Sequence, residues 1–358
     1  MNQQPEPTPQ DPGDLPVGQV LVGDVREQLR GLPPGSVDCL VSSPPYFRLR
    51  NYQHANQLGL EATVRQWVTN LADVLDDLTR VLTPLATVWL NVGDSYSRHA
   101  SSGAPPKSLV LAPEHLVVEL VRRGWIARNK VVWAKTNPMP TSVRDRLACT
   151  WEPIYLLTRS GRYHFDLDAI RVPHRTARTR RTKRPKRAPR VVPEWQGPLA
   201  GKNDGLDRMK ADGRPGHARG KNPGDVWSIA TSSYRGAHFA TFPEQLVERP
   251  ILAGCPPKIC TNCGAPWRQA AGRIVGHLAV TGELEAACGC GAPWRRGVVL
   301  DPFIGSGTTA VVAERLGRDW IGIDLNADFA ELARSRIVSS RKRRNKPEQA
   351  ETDEVQAA

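Results

Sequence analysis

The nonapeptide Asp301-Pro302-Phe303-Ile304-Gly305-Ser306-Gly307-Thr308-Thr309 decides how the chain folds. It leaves the strand-like run Val298 to Phe303 and enters a helical pattern, Thr308 to Leu316. Trp320 to Asp324 then reads as a strand and Asp328 to Ile337 as a helix. Glycines at such a turn let the backbone bend sharply and approach a ligand where a β-carbon would collide, and the helix N-terminus beyond supplies free N–H donors. The turn lacks the full dinucleotide fingerprint, and no Gly-Lys-Ser/Thr follows it, so it suits a nucleoside cofactor that need not be held by phosphate. Asp324 closes the next strand, Ile321-Gly322-Ile323-Asp324, at about the separation where an acid meets a ribose hydroxyl pair.

The same alternation continues on the N-terminal side. Val20 to Val22, Val37 to Val41, Ala86 to Val92, Trp125 to Trp133 and Ile154 to Thr158 read as strands, and Val64 to Leu82 and Leu109 to Val121 as helices. This predicts an α/β fold with a mostly parallel sheet covered on both faces. Residues 1–16 carry five prolines among polar residues and are expected to be a disordered tail, as is 341–358. At 358 residues the chain suits one large domain or two ordinary ones. Its 49 Lys and Arg against 36 Asp and Glu give a net charge of +13, which favours a polyanionic partner but is silent on chemistry. No apolar run approaches the ~18 residues of a membrane span, and no basic-then-apolar leader opens the chain, so neither membrane nor secretion is expected and the cytoplasm is. Seven cysteines in such a compartment point to metal or catalysis before disulfides.

Directly after the strand Val37 to Val41 stands Ser43-Pro44-Pro45-Tyr46. Two prolines fix φ and remove both N–H donors, so the chain leaves the sheet in a rigid arc whose carbonyls point in set directions. The Ser43 hydroxyl and Pro44 carbonyl can each accept a hydrogen bond from one NH₂ group, and Tyr46 offers a flat face for a heterocycle. The exocyclic amine of cytosine or adenine is a poor nucleophile because its lone pair is delocalised into the ring. Two acceptors holding its hydrogens out of the ring plane would localise that pair and aim it at an electrophilic methyl, by positioning and electrostatics alone. The base must first leave the stack, which a stacking aromatic accommodates.

Cys260-x-x-Cys263 and Cys288-x-Cys290 form a further constellation, each pair followed by Gly-Ala-Pro-Trp-Arg, at Gly264 and Gly291. Four thiolates in two tight turns are the donor set of a structural zinc in a small, zinc-ribbon-like insertion spanning 255–294. Cys255 is near enough to substitute for one ligand, while Cys39 and Cys149 read as packed hydrophobes.

Ser43-Pro44-Pro45-Tyr46 near one end and Asp301 to Thr309 near the other resemble the amino-directed DNA methyltransferases of the permuted class, in which the catalytic motif precedes the cofactor motif. The resemblance spans about residues 18–340. It includes Gly23-Asp24, Asn91-Val92-Gly93-Asp94-Ser95-Tyr96, Trp133 to Pro140 and His238 to Pro243. It implies a Rossmann-like S-adenosylmethionine-dependent fold with a seven-stranded sheet, built by 17–165 and 236–340 together. It further implies a cofactor site of Asp24, Phe239, Thr241, Asp301, Phe303, Gly305, Gly307, Thr308 and Asp324, with duplex DNA as substrate. In that family a serine at the first catalytic position goes with the 4-amino group of cytosine and an aspartate with the 6-amino group of adenine, so Ser43 favours cytosine. Transfer to carbon 5 of cytosine would need a cysteine nucleophile, typically in a Pro-Cys pair, and the chain has none.

Arg171 to Arg190 holds ten Lys or Arg and no acid, and 166–235 coincides with the family's target-recognition region, which predicts salt-dependent phosphate contacts there. The competing readings are adenine as target and, in another class, a zinc-bearing nucleic-acid-binding protein with an inactive transferase fold. The sequence leaves open a homodimer and a cognate restriction endonuclease as partners.

Overall fold

The computed structural model of the chain describes residues 15–52, 54–173, 219–232, 242–274 and 277–344. Its strands are β1 (Gln19–Val22), β2 (Val37–Ser42), β3 (Leu82–Asn91), β4 (Ile126–Lys135), β5 (Trp151–Thr158), β6 (Val226–Ile229), β7 (Ile259–Cys260), β8 (Arg268–Ile274), β9 (His277–Glu285), β10 (Trp294–Arg295), β11 (Val298–Asp301) and β12 (Asp319–Asp324). Its helices are α1 (Val25–Gly31), α2 (Val64–Leu78), α3 (Ala112–Arg122), α4 (Glu244–Gly254), α5 (Thr308–Arg315) and α6 (Ala327–Arg344). Eight strands form one sheet in the order β1-β12-β11-β2-β3-β5-β4-β6, with β7 and β10 paired apart from it and β8 and β9 forming a separate hairpin. Pairing is parallel from β1 through to β3, antiparallel on both sides of β5, and parallel again between β4 and β6.

Alternate residues of the central strands enter two cores, as a pleat with period two requires. Leu40, Leu90, Leu300 and Ile321 pack with α1, α2 and α3 on one face, and Cys39, Trp89, Val299 and Trp320 with α4, α5 and α6 on the other. Helices on both faces are what make these strands continuously apolar. Thr63 starts α2 by accepting the Gln66 N–H at 3.2 Å, and Trp67, Leu71, Leu75 and Leu78 form its buried stripe.

Several expectations are corrected. The sheet has eight strands where seven are implied, because Val226–Ile229, inside the stretch assigned to the basic region, pairs with β4 and buries Trp227 and Ile229. The helical pattern Val64 to Leu82 stops at Leu78, where Thr79 turns back onto the Asp76 carbonyl, and Leu82 already belongs to β3. Leu111, in the left-handed region at φ 56°, delays α3 to Ala112. At the ends, Leu15 is buried and α6 continues through Arg344, with Arg341 and Arg344 both paired to Glu314, so neither residue is part of a tail. Residues 1–14 and 345–358 lie outside the described residues. Among the described residues no helix is long and apolar enough to cross a membrane.

Candidate active site

Two stretches distant in sequence meet because β11 lies beside β2, with Val299 opposite Cys39 and Leu300 opposite Leu40. Both strands run the same way, so the turns after them emerge side by side at the carboxyl ends, the edge where open α/β sheets bind ligands. There a cavity of about 900 Å³ is lined by Ser43, Pro44, Pro45 and Tyr46 from one turn and by Phe303, Gly305 and Thr308 from the other, with Asp24 and Asp324 completing the wall. Its volume lies within the ~300–1,000 Å³ of small-molecule and cofactor sites.

Around the turn after β11 the residues divide into wall and support. Asp301 does not reach the cavity. It is 1% exposed and accepts the Ser42 hydroxyl at 2.6 Å, the Thr309 hydroxyl at 2.6 Å and the Phe303 N–H at 3.1 Å, so it ties the two turns together from beneath. Burial pushes its carboxyl up to about 6. Gly307 also lies below the wall. Its φ of 80° is in the left-handed region, and a β-carbon there would come within 3.2 Å of Ala333 on α6. Asp324 faces the cavity, with one carboxylate oxygen accepting the Gly305 N–H and the other the Asn326 N–H, both at 2.9 Å; burial raises its pKa. Asp24 lines the cavity as the N-cap of α1, accepting the Arg26 N–H at 2.8 Å. Phe239 and Thr241 lie outside the described residues, while the adjacent Phe242 lines the cavity.

The turn after β2 is held by a hydrogen-bonded chain. Ser43 Oγ donates to Tyr46 Oη at 3.0 Å, and Tyr46 Oη lies 3.0 Å from both Asn91 Oδ1 and Glu152 Oε2. Asn91 Nδ2 donates to Glu152 Oε2 at 3.2 Å, and Lys135 Nζ pairs with Glu152 Oε1. Burial, then the Glu152 charge, holds the Tyr46 hydroxyl well above its ordinary pKa, so it remains a phenol. The Trp67 indole N–H donates to the Pro45 carbonyl at 2.9 Å and pins the turn to α2. Gly93 admits the Tyr46 ring: a β-carbon there would sit 2.5 Å from Tyr46 Cε2.

Glu152 escapes the reading of the sequence altogether, and Lys135 appears in it only as part of a quoted segment. The available signal was an acid as the second residue of β5, whose next six residues are buried.

The remaining constellations, apart from Cys149, which lines the cavity, lie away from this wall. The ligand atoms of Cys260, Cys263, Cys288 and Cys290 all fall within 4.8 Å of one another, and none of the four residues lines the cavity. Cys255 does not join them. It is fully buried at the end of α4, and its carbonyl accepts from Arg318. Cys39 is packed in the core as expected, whereas Cys149 is exposed, with its sulfur 3.6 Å from the Tyr96 hydroxyl. Of the basic run, Arg171 is a structural residue, bonded to Asp168 and to the Gly220 carbonyl at the neck of the segment; 174–218 lies outside the described residues.

Comparison with known proteins agrees with this geometry. The profile of the N6/N4 DNA methylase family matches residues 37–335. The type II methyltransferase M.SmaI of Serratia marcescens is 30% identical over 344 residues, covering 90% of this chain and 91% of that protein. M.Cfr9I of Citrobacter freundii is 30% identical over 348 residues, with 91% and 90% covered. Among solved structures, the cytosine-N4-specific PvuII DNA methyltransferase superposes with a TM-score of 0.55 at 16% identity over 96% of both chains. A Thermus thermophilus protein complexed with S-adenosyl-L-methionine gives 0.50 at 20% identity, with 90% of this chain and 93% of that one covered. The two structures speak to the fold. The family profile and the near full-length relatives go further, and the chain belongs to the N6/N4 DNA methylase family, among the type II DNA methyltransferases.

Proposed function

We propose that the protein methylates the exocyclic 4-amino group of cytosine, flipped out of a specific duplex sequence, with S-adenosylmethionine as donor. The observation carrying this reading is the single cavity walled on one side by Ser43, Pro44 and Tyr46 and on the other by Gly305 and Asp324. The wall fits the donor. Asp324 ends β12 with its carboxylate held by two backbone N–H groups, where a ribose diol can bond, and Phe303 and Phe329 supply apolar surface. Bound there, the donor supplies an electrophilic sulfonium methyl; the remaining tasks fall to the chain's own residues.

Because Ser43 spends its proton on Tyr46, its oxygen presents lone pairs to an incoming amine. The Pro44 carbonyl is the second acceptor. Together they turn the amine hydrogens out of the ring plane and localise the nitrogen lone pair, while Tyr46 stacks on the base. Held by Ser43 and Pro44, the amine nitrogen would take the methyl as the donor's C–S bond broke to leave a neutral thioether, and one amine proton would leave to solvent. Ser43, standing where adenine-directed members of the family carry aspartate, supports cytosine as the base. The basic run beyond Arg171 supports phosphate contact with the duplex. The type II relatives support a cognate restriction endonuclease as functional partner and the cytoplasm as the place of action.

Digesting methylated plasmid to nucleosides and identifying the modified one by mass spectrometry tests this. N4-methyldeoxycytidine, absent with Tyr46→Ala, is expected; N6-methyldeoxyadenosine as sole product would overturn the base. Asp324→Ala should abolish cofactor binding measured by calorimetry, and binding that persists unchanged would overturn the cofactor site.

A further inference from the structure

We propose that Cys260, Cys263, Cys288 and Cys290 hold one zinc ion in a tetrahedral thiolate site, and that this ion fastens the insertion to the end of the sheet opposite the cavity. The ligand atoms of all four lie within 4.8 Å of one another. A tetrahedral ion with bonds of ~2.3 Å to sulfur needs its ligands about 3.8 Å apart. Two separate disulfides would not require both pairs to converge on one point, and all four cysteines are free.

The backbone around the thiols is shaped for the same purpose. Each pair runs into a glycine in the left-handed region, Gly264 at φ 70° and Gly291 at φ 61°, which turns the chain back after the last thiol. In the first turn the Gly264 N–H donates to the Cys260 carbonyl and the Cys260 N–H to the Ala265 carbonyl, both at 3.0 Å. The two turns are brought together by β7 and β10, which place Cys260 opposite Trp294. The repeated Gly-Ala-Pro-Trp-Arg places Trp267 and Trp294 with ring centroids 6.3 Å apart, and Lys258 stands over both rings. Among the residues of the insertion whose side chains are described, Ile259 and the two tryptophans supply the apolar contacts beside the thiols, and small units of this kind often rely on a metal or disulfide to supplement a core.

The attachment point fixes what the ion can do. Arg295, on β10, forms a two-pronged pair with Asp38 at 2.6 and 3.0 Å, and the same carboxylate accepts the Val298 N–H at 2.9 Å. Asp38 stands at the start of β2 and Val298 at the start of β11, the strands whose far ends carry Ser43 and Asp301. Five residue steps along β2, about 17 Å at ~3.3 Å per residue, therefore separate Asp38 from Ser43 at the cavity, so the ion holds strand register and takes no part in methyl transfer. The insertion leaves and rejoins the fold at one place: a β-carbon on Gly297 would lie 2.2 Å from the Pro256 carbonyl oxygen.

The test uses the full-length protein purified in reductant without chelator. Elemental analysis should give roughly one zinc per chain, released when a mercurial titrates the thiols, and cobalt substitution should give thiolate charge-transfer and tetrahedral d–d bands. Cys263→Ser and Cys290→Ser, at exposed positions, should lose the metal and lower the melting midpoint by several degrees. Cys290→His should retain it as a three-thiolate, one-imidazole site, and Cys149→Ser should leave it unchanged. Reduced wild-type protein that binds neither zinc nor cobalt and melts at the same temperature in excess chelator would overturn the proposal. So would peptide mapping that finds these four cysteines in disulfides within the native protein.

Discussion

At Tyr46 a single hydroxyl hydrogen faces two acceptors, Asn91 Oδ1 and Glu152 Oε2, both at 3.0 Å. A carboxylate can only accept, so Glu152 fixes the direction of the chain: Tyr46 donates outward, its oxygen receives the Ser43 proton, and the Ser43 lone pairs turn to the cavity. Lys135 in turn pairs with the other Glu152 oxygen, Oε1, and holds the carboxylate beside the phenol. Glu152→Gln loses the ion pair and lets the amide donate towards Tyr46, reversing that polarity. A charged hydrogen bond of this kind is worth ~1.5–3 kcal/mol, so kcat should fall roughly 10- to 100-fold with the cofactor Kd unchanged, measured by single-turnover kinetics and calorimetry. Asp301 makes a different prediction, on stability. Its carboxyl titrates near 6 in the fold against an ordinary 3.8, so between those values the native protein holds the proton and the unfolded chain has lost it. The stabilisation this supplies is complete below 3.8 and disappears as pH rises through 6. Relative to Asp301→Asn, the wild type should lose about 3 kcal/mol of unfolding free energy between pH 3.8 and 7, read from urea midpoints of the two proteins across that range. A difference that does not change with pH would show that the carboxyl titrates normally.

At the next scale, β3 delivers Asn91 to the phenol and Gly93 to the ring, and the two act as one device. Gly93 is not in the left-handed region, so alanine costs nothing in backbone strain there, yet its β-carbon would lie 2.5 Å from Tyr46 Cε2. Gly93→Ala should therefore push the ring off Asn91 and Glu152, lowering kcat at least ~10-fold, the effect of about 1.4 kcal/mol, while melting temperature and cofactor Kd stay near wild type. Activity within twofold of wild type would show the ring position to be unimportant. The segment Asn91 to Tyr96 was legible as a motif, but its use was not, because what it touches comes from strands far along the chain. The alternation of β11, α5, β12 and α6 was legible because each element is short, apolar at its own period and bounded by glycine or acid. The boundary between α2 and β3 was not, since Val81 and Leu82 continue an apolar helical spacing and only the Thr79 turn onto Asp76 ends it. Nor could Glu152 be found, because nothing near it in sequence reveals a tyrosine 106 residues away. The residues of the glycine turn and its acid divide similarly: Asp324 and Gly305 line the cavity, while Asp301 is the buried tie between the two turns.

For the whole molecule the governing quantity is charge and where it lies. The net +13 is concentrated: Arg175 to Arg190 contributes nine basic residues and no acid, and without them the chain would carry 40 Lys and Arg against 36 Asp and Glu. This run is attached at a defined place. Val172 bridges Lys221, and Arg171 bonds to the Gly220 carbonyl, so the segment between leaves and returns at one neck, beside the edge strand β6. The edge is on the side of the sheet that also carries β4 and β5, which supply Lys135 and Glu152 to the cavity. Basic residues held there would meet the phosphates flanking an extruded base, and their contribution would depend on salt, since each neutralised phosphate releases counterion. Replacing Arg175, Arg178, Arg180 and Arg181 by Gln should reduce the magnitude of the slope of log K against log salt by about 0.9 for each phosphate left unneutralised, up to ~3.6 for all four. Affinity for specific and unrelated duplexes should weaken alike, because phosphate contacts carry no sequence information, and the cofactor Kd should not change. Fluorescence anisotropy with labelled duplexes across a salt series provides the measurement. An unchanged slope would assign the run to free solvent and move the phosphate contacts to the described face of the protein, whereas a loss confined to the recognition sequence would make these arginines readers of bases.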